Sequence, residues 1–546
     1  MRFTTLLLFL VTILACSPRP QTAPSAADAA LGYDQSEALA ALAGQENERM
    51  RFKLLASRTH DRAEVWQTVD RQLNGFGAKE YDRLRPLILE QDIPTLQEHI
   101  ARNRLTYPDL VRWYLYRIRT FETDPARSLH TVLQISPDAV ARATELQTNR
   151  PADPHPLYGI PVLLKDNINA AGMPTTAGAE LLKDHTPGNA FIVDRIEARG
   201  GLILGKVNLS EWAYYFCGGC PLGYSAVGGQ TLNPYGPRRF ETGGSSAGSG
   251  TSVAANYAPV AVGTETAGSI LSPSAQNSVV GLKPTIGLLS RTGIVPISYT
   301  LDTPGPMAKS VTDAAILLDA LRGQDGRDFK SVESTAGYAL ESVRWTDVRL
   351  AYFRDFMQND LYAAQVGRLR EAGATLLEIQ PEPMDYTGFT RLLDGEMKRA
   401  LPDYLATYAP NLPQRTVADV VAFNKQDTFR RAPYNQSIFE GIVQETMTDA
   451  ELEQLQRNLQ QRAQTYLQPA FAEQQVDAVL SINNYSAAVA ALAEYPGLAV
   501  PMGYTEAGEP MALTFIGRPW SERTLLGLGA AFEQLHRVRQ PPADYR

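Results

Sequence analysis

Three residues of this chain have the types and contexts that nucleophilic catalysis requires: Lys165, Ser245 and Ser269. The serines stand 24 positions apart in two Gly/Ser-rich turns, which flank one short apolar segment. A serine hydroxyl is a weak nucleophile unless a neighbouring base takes its proton. No histidine lies in either turn, so the candidate base is Lys165, which closes a short apolar run predicted as a strand. Taken by itself, a lysine at the end of a strand is more often a solvated strand end than a catalytic residue. Burial can lower the pKa of a lysine enough to leave the amine neutral.

The same glycine-rich turns predict an anion-binding site. Gly243, Gly244 and Gly248 let the backbone adopt positive φ and approach a ligand closely. The segment 259–263 predicts a short buried strand, so 263–269 lies at a strand end with its amides turned outward. Successive outward N–H groups bind anions, which is what a developing oxyanion needs. An isolated Gly/Ser cluster is more often a flexible linker, but apolar, regularly patterned sequence flanks this one.

Several motifs together resemble one known family. GGSSAGS (243–249), GTETAGSI (263–270), NSVVGLKPTIGLLSRTGIVP (277–296) and GIPVLLKDNI (159–168) resemble the amidase signature family. The family motif has a cis-serine in GGSSGG and a nucleophilic serine at the end of T-D-x-G-G-S. GKVNLSEWA and GGQTLNPYG are similar to the peptide-amidase-like branch of that family.

The resemblance implies a role for each reactive residue. Ser269 would be the nucleophile that forms an acyl-enzyme, Lys165 the base, and Ser245 the cis-serine that bridges them. Ser246 is the competing choice for the bridge. The N–H groups expected to hold the oxyanion are those of Thr266, Ala267, Gly268 and Ser269.

The chain departs from the family pattern at a few positions. Ala247 stands where GGSSGG has glycine, Glu265 where the family often has aspartate, and Leu271 where many relatives carry arginine. Ala267 stands where the family often has glycine. A Cβ at a position that needs positive φ is strained, so Ala267 predicts strain in the oxyanion-binding turn.

Length and the resemblance predict the domain organisation. We expect an α/β fold with one large amidase-signature domain over 88–541, built on a central mixed twisted sheet with helices on both faces. Residues 16–87 would form a tether and an N-terminal helical extension. Thr106 with Asp109, and Ser310 with Asp313, predict two helix starts. The 51 basic and 59 acidic residues argue against a nucleic-acid partner.

The N-terminus predicts export to a bacterial cell envelope. An apolar run over 6–15 follows the basic Arg2, which is typical of a signal peptide over 1–15 and too short to span a bilayer. The sequence Ile13-Leu14-Ala15-Cys16 resembles a lipobox, in which Cys16 would be lipidated and would anchor the protein to a membrane. Because Leu14 is bulkier than the usual small residue, cleavage by ordinary signal peptidase stays open.

The cysteines and histidines predict no metal site and no cofactor. Cys217 and Cys220 lack partner cysteines or nearby histidines for zinc. In an oxidising compartment they favour a local disulfide, with two free thiols as the alternative. The six histidines are scattered, so a Ser-His-Asp triad assembled from distant residues stays open, although no G-x-S-x-G elbow surrounds either serine.

These observations predict an exported amidase. It would hydrolyse a small-molecule or peptide carboxamide, including C-terminal peptide amides, to a carboxylate and ammonia or an amine. The alternative is a catalytically silent envelope lipoprotein that keeps the fold for binding. A third hypothesis, an amidotransferase subunit acting on aminoacyl-tRNA, disagrees with export and with the acidic composition.

Overall fold

The computed structural model describes residues 35–334, 337 and 340–546, and both helices and strands occur in this part of the chain. The predicted signal peptide, Cys16 and the tether lie outside these described residues. The helices are α1 Ser36–Leu42, α2 Ala63–Leu73, α3 Ala78–Ile88, α4 Ile93–Ala101, α5 Tyr107–Glu122, α6 Ala139–Thr148, α7 Phe191–Ala198, α8 Ala247–Ala254, α9 Leu271–Gln276, α10 Val311–Leu321, α11 Asp360–Glu371, α12 Phe389–Tyr408, α13 Val417–Lys425, α14 Thr428–Arg431, α15 Ser437–Gln444, α16 Asp449–Gln468, α17 Ala487–Leu492 and α18 Glu522–Leu535. The strands are β1 Val132–Ile135, β2 Pro161–Lys165, β3 Leu202–Val207, β4 Tyr224–Ser225, β5 Gly229–Gln230, β6 Val260–Glu265, β7 Val280–Lys283, β8 Thr303–Ala308, β9 Arg349–Phe353, β10 Thr375–Ile379, β11 Ala478–Ile482, β12 Gly497–Tyr504 and β13 Pro510–Ile516.

Polar side chains start α5 and α10 where the sequence predicts them. Thr106 Oγ1 accepts the N–H of Asp109 at 3.2 Å, and Ser310 Oγ accepts that of Asp313 at 3.1 Å. Each bond satisfies a backbone donor that the first helical turn leaves without a partner. Both predicted helix starts are confirmed.

Eleven strands form one mixed sheet, in the order β1-β3-β2-β6-β8-β7-β12-β13-β11-β9-β10. β2 runs parallel to β3 and β6, and β9 runs parallel to β10 and β11. The other neighbours in the sheet are antiparallel. β2, β3, β6 and β8 are buried at every position, as expected for a sheet with helices on both faces. The predicted α/β class with a central mixed sheet is confirmed.

The helices before residue 88 pack on the same core as the sheet. Val65 and Val69 of α2 and Leu84 of α3 belong to one buried cluster with the residues of α5 and β2. The segment between α1 and α2 is hydrogen-bonded to β5, since Gln230 donates its N–H to Leu55 O at 2.8 Å. Apolar contacts therefore cross the sequence-predicted boundary at 87/88. None of the helices in the described part of the chain is long and apolar enough to cross a membrane.

The pairing of β2 with β6 determines where the reactive residues meet. Leu164 lies opposite Val262 in this parallel pair, so the carboxyl ends of both strands reach the same edge of the sheet. β2 ends at Lys165, and β6 ends at Glu265. The two catalytic motifs, about a hundred residues apart, therefore meet at one edge.

Candidate active site

Lys165 is fully buried, and its amine has three polar contacts. Nζ lies 2.8 Å from Ser245 Oγ, 2.8 Å from Thr264 Oγ1 and 3.0 Å from the carbonyl oxygen of Thr264. A neutral amine has two N–H donors and one lone pair. It can donate to the two Thr264 oxygens while its lone pair accepts the hydroxyl proton of Ser245.

Burial lowers the pKa of Lys165 to about 7, from an ordinary value of 10.5. The negative charges of Asp302 and Glu265 act in the opposite direction and raise it. Desolvation disfavours the charged ammonium, so about half of the amine is neutral at neutral pH. That is the protonation state a general base requires.

Ser245 and Ser246 are both buried but differ in what they contact. A cis peptide bond joins Gly244 to Ser245. Ser245 Oγ contacts Lys165, and its own hydroxyl proton has no other acceptor among the residues that the structure describes. Ser246 Oγ instead donates to Thr264 O at 3.0 Å and accepts the N–H of Thr264 at 3.2 Å. The Ser246 hydroxyl therefore makes both of its hydrogen bonds with Thr264, at the end of β6. Ser245 is the serine that contacts Lys165.

Ser269 ends the serine turn, which we define as residues 265–269. It is partly exposed, whereas Lys165 and Ser245 are fully buried. Its Oγ makes no hydrogen bond with any of the described residues, and its carbonyl accepts the N–H of Ser246 at 3.2 Å. This backbone hydrogen bond joins the serine turn to the segment that carries Ser245 and Ser246. The partial exposure of Ser269 leaves it accessible to a substrate.

Glu265 organises the serine turn from within. Its buried carboxylate accepts the N–H groups of Gly268 at 2.7 Å, Ile270 at 2.7 Å and Leu271 at 3.0 Å. The first of these is one of the four N–H groups predicted to bind the oxyanion. The other three, those of Thr266, Ala267 and Ser269, donate to no group in the described part of the chain. They remain available to an anionic ligand.

The expected strain at Ala267 is wrong. Ala267 is not among the described residues with positive φ, whereas Gly268 has a φ of 103°. The left-handed conformation that this turn requires is taken by Gly268, which has no Cβ to clash. The methyl group of Ala267 therefore costs the turn no strain.

Asp302 supports the turn from the neighbouring loop, and no sequence motif pointed to it. Its partly buried carboxylate accepts the Thr266 hydroxyl at 2.6 Å and the N–H groups of Ile297 at 2.8 Å and Ser298 at 2.9 Å. Burial raises the pKa of Asp302. It precedes β8, the antiparallel neighbour of β6. This tertiary pairing brings it to the serine turn.

The remaining candidates lie apart from the reactive serines. Cys217 and Cys220 are paired as a local disulfide. No histidine contacts Ser245 or Ser269: among the described residues, the histidine rings nearest in sequence to these motifs, His155 and His185, bond to Asp319 and Tyr404. No cluster of three or more His, Cys, Asp or Glu side chains that could hold a metal occurs in the described part of the chain.

A cavity of about 400 Å³ adjoins the serine turn. It begins at Thr266, where the predicted oxyanion-binding groups lie, and extends between the loop 291–299 and helix α12. Its wall includes polar, charged and aromatic residues, among them Asn167, Thr264, Arg291, Tyr299, Asp302, Arg327, Phe329, Asp403, Tyr404 and Tyr408. A concave, largely apolar space near a nucleophile is the usual form of a small-molecule substrate site.

Comparison with known proteins identifies the family to which this fold and site belong. The Amidase family model matches residues 109–526. A probable amidase of Arabidopsis thaliana is 34% identical over 478 residues, covering 83% of this chain and 92% of that protein. The chain therefore belongs to the amidase family, and it is an enzyme that hydrolyses the carbon–nitrogen bond of amides.

Solved structures agree with this assignment. An amidase family protein from Bacillus anthracis superposes with a TM-score of 0.85 and 37% identity, covering 89% of this chain and 99% of its own. The native peptide amidase of Stenotrophomonas maltophilia superposes with a TM-score of 0.78 and 36% identity, covering 83% and 98%. The second likeness is consistent with the predicted peptide-amidase-like branch.

Proposed function

We propose that this protein is an exported amidase that cleaves peptide amides through an acyl-enzyme on Ser269, with Ser245 and Lys165 as its proton relay. The observation that carries the proposal is the 2.8 Å contact between Lys165 Nζ and Ser245 Oγ, in a site where burial brings the pKa of Lys165 to about 7. The partly exposed Ser269 lies at the edge of the same site.

The proposed reaction begins with attack of Ser269 Oγ on the amide carbon. Its proton passes to Ser245 Oγ, and the proton of Ser245 passes to the neutral amine of Lys165. The N–H groups of Thr266, Ala267 and Ser269 stabilise the oxyanion; removing one such donor typically costs about 3 kcal/mol. Because Gly268 N–H is bonded to Glu265, it supports the turn and leaves oxyanion binding to the other three.

Collapse of the tetrahedral intermediate breaks the carbon–nitrogen bond. The lysine returns the proton through Ser245 to the departing nitrogen, which leaves as ammonia or an amine. Water then attacks the acyl-enzyme, with the same two residues accepting and returning a proton. The products are a carboxylate and the free hydroxyl of Ser269.

A peptide-like acyl group is supported by an unpaired acceptor in the cavity wall. Asn167 is 2% exposed, and its Oδ1 has no hydrogen-bond partner. Its Nδ2 donates to Thr264 Oγ1 at 2.9 Å and to Val295 O at 3.5 Å, and the residue lines the cavity. A buried acceptor without a donor is costly, and the backbone N–H of a bound peptide amide would satisfy it. The similarity to a peptide amidase points to the same substrate class.

Active-site labelling with a fluorophosphonate tests the proposal. We expect the wild-type protein to be labelled, Ser269→Ala to lose the label, and a panel of peptide, aryl and fatty amides to show highest turnover for peptide amides. Ser252→Ala, a buried serine of α8 outside the site, is the control and should still be labelled. A wild-type protein that neither labels nor cleaves any amide would instead favour the silent binding protein.

We also propose, from the apolar run over 6–15 and from Cys16, that the protein is exported and held at the cell envelope by a lipid on Cys16. Fractionation and metabolic labelling with a fatty acid test this. Labelled wild-type protein in the membrane fraction, with loss of label in Cys16→Ser, would support the anchor. Release of unlabelled, shortened protein would show ordinary signal-peptidase cleavage, and an uncleaved cytoplasmic protein would refute export.

A further inference from the structure

The positive charges in the wall of the 400 Å³ cavity are paired with acidic side chains. Two arginines line it, and each already has an acidic partner. Arg291 Nε lies 2.9 Å from Asp328 Oδ2, and Arg327 Nε lies 3.2 Å from Asp325 Oδ1. These ion pairs leave little positive charge for a substrate.

Asp403, on α12, has no cationic partner of this kind in the described part of the chain. It lines the cavity and is exposed. Its one side-chain hydrogen bond comes from the Tyr299 hydroxyl, and within the described residues no Lys, Arg or His forms an ion pair with it. Asp302 also lines the cavity without an ion pair among the described residues, but it accepts three hydrogen bonds from the protein. Asp403 is the exposed carboxylate of the wall, and its charge can attract a cation.

Aromatic rings surround the same region. Tyr299 and Phe329 lie with ring centroids 6.5 Å apart, Tyr404 and Tyr408 with centroids 5.1 Å apart, and all four line the cavity. Phe329 is 73% exposed, which is unusual for a phenylalanine, and the guanidinium of Arg291 lies 5.1 Å from its ring centroid. Ring faces attract ammonium and guanidinium groups by about 0.5–2 kcal/mol.

We propose that this cavity selects amides whose acyl part carries a cationic side chain, bound by the Asp403 carboxylate between these aromatic rings. The inference rests on the proposed function, in which the acyl group bound beside Thr266 is transferred to Ser269. A volume of 400 Å³ holds roughly a dozen water-sized groups at about 30 Å³ each. A long aliphatic side chain with an ammonium end therefore fits, its methylenes along the rings and its charge at the carboxylate.

The test compares N-acetyl-lysinamide with N-acetyl-norleucinamide, which have similar side-chain length and differ in charge. We expect kcat/KM about tenfold higher for the lysine amide, equivalent to about 1.4 kcal/mol, and a ratio near one in Asp403→Asn. Asp394→Asn is the matched control. Asp394 lies on the same helix and also accepts a tyrosine hydroxyl, that of Tyr215 at 2.7 Å, but it lies outside the cavity wall, so the preference should persist.

Calorimetric titration of Ser269→Ala with the same two amides gives a readout that needs no turnover. Tighter binding of the lysine amide by about tenfold, lost in the Ser269→Ala, Asp403→Asn double variant, would support the inference even if hydrolysis were absent. Equal kcat/KM and equal affinity for the two amides, or a preference that survives Asp403→Asn, would overturn it. Absence of hydrolysis together with selective binding would overturn only the proposed function.

Discussion

Lys165 Nζ and Ser245 Oγ lie 2.8 Å apart although their residues come from different strands and turns of the chain. Both side chains are fully shielded from water, and two oxygens of Thr264 hold the amine in place. An amine kept in such an environment binds its proton weakly. A serine–lysine relay requires a short path for the proton and a base that is free to accept it. The contact between Lys165 and Ser245 meets both requirements.

The first prediction concerns pH. Lys165 must be neutral to act as a base, and its pKa is about 7, so kcat/KM should rise with pH through about 7 and level off above it. At one pH unit below this pKa, kcat/KM should be roughly tenfold below the plateau. Steady-state kinetics between pH 5 and 9 measure this. A rate that is already flat from pH 5 upward would contradict Lys165 as the titrating base.

The second prediction is that Asp302→Asn moves this pH profile. The charge of Asp302 raises the pKa of Lys165, so its removal should shift the rising limb of kcat/KM to lower pH. An asparagine can keep an acceptor oxygen for the N–H groups of Ile297 and Ser298. A loss of rate with an unmoved limb would mean that Asp302 acts through the loop alone.

The third prediction separates the adjacent serines. Ser245→Ala should lower kcat by about 10²- to 10⁴-fold, the usual contribution of a proton-transfer group, with little loss of stability. Ser246→Ala leaves the buried N–H of Thr264 without its acceptor and should cost about 1–3 kcal/mol of unfolding free energy, with a much smaller change in kcat. Kinetics and thermal denaturation of both variants measure this. The reverse pattern would assign the bridge to Ser246.

The fourth prediction concerns the carboxylate inside the serine turn. Glu265 accepts three backbone N–H groups. In Glu265→Gln the amide nitrogen cannot accept these donors, so we expect kcat to fall by about 10²-fold through a disordered oxyanion site. Glu265→Asp keeps the charge and should recover part of the rate. Full activity in Glu265→Gln would show that the turn needs no carboxylate.

The fifth prediction compares neighbours in the same turn. Gly268 has a φ of 103°, and a Cβ there would lie 3.1 Å from Asn484 Nδ2. Gly268→Ala should therefore destabilise the protein by about 1–3 kcal/mol and lower kcat. Ala267→Gly should leave kcat close to that of the parent, since Ala267 needs no positive φ. Melting temperatures and kcat of the pair measure this, and a silent Gly268→Ala would refute the assignment of strain.

The reactive residues themselves could be predicted because their signals are local. Lys165, Ser245 and Ser269 each stand in a short motif whose glycines, hydroxyls and apolar neighbours are contiguous in the chain. The starts of α5 and α10 were predictable for the same reason, since a cap and its donor are three residues apart. The conformation of Ala267 was mispredicted because a motif does not say which residue of a turn takes positive φ.

The sequence alone determined the amidase family, the α/β class and the residue types of the proposed relay, because all of these are carried by contiguous patterns. Tertiary structure alone decided what surrounds them. Asp302 supports Thr266 because β8 pairs with β6, and Asp403 meets Tyr299 because α12 packs over a loop 104 positions away in sequence. Contacts between such distant positions depend on strand pairing and helix packing, which no single stretch of residues specifies.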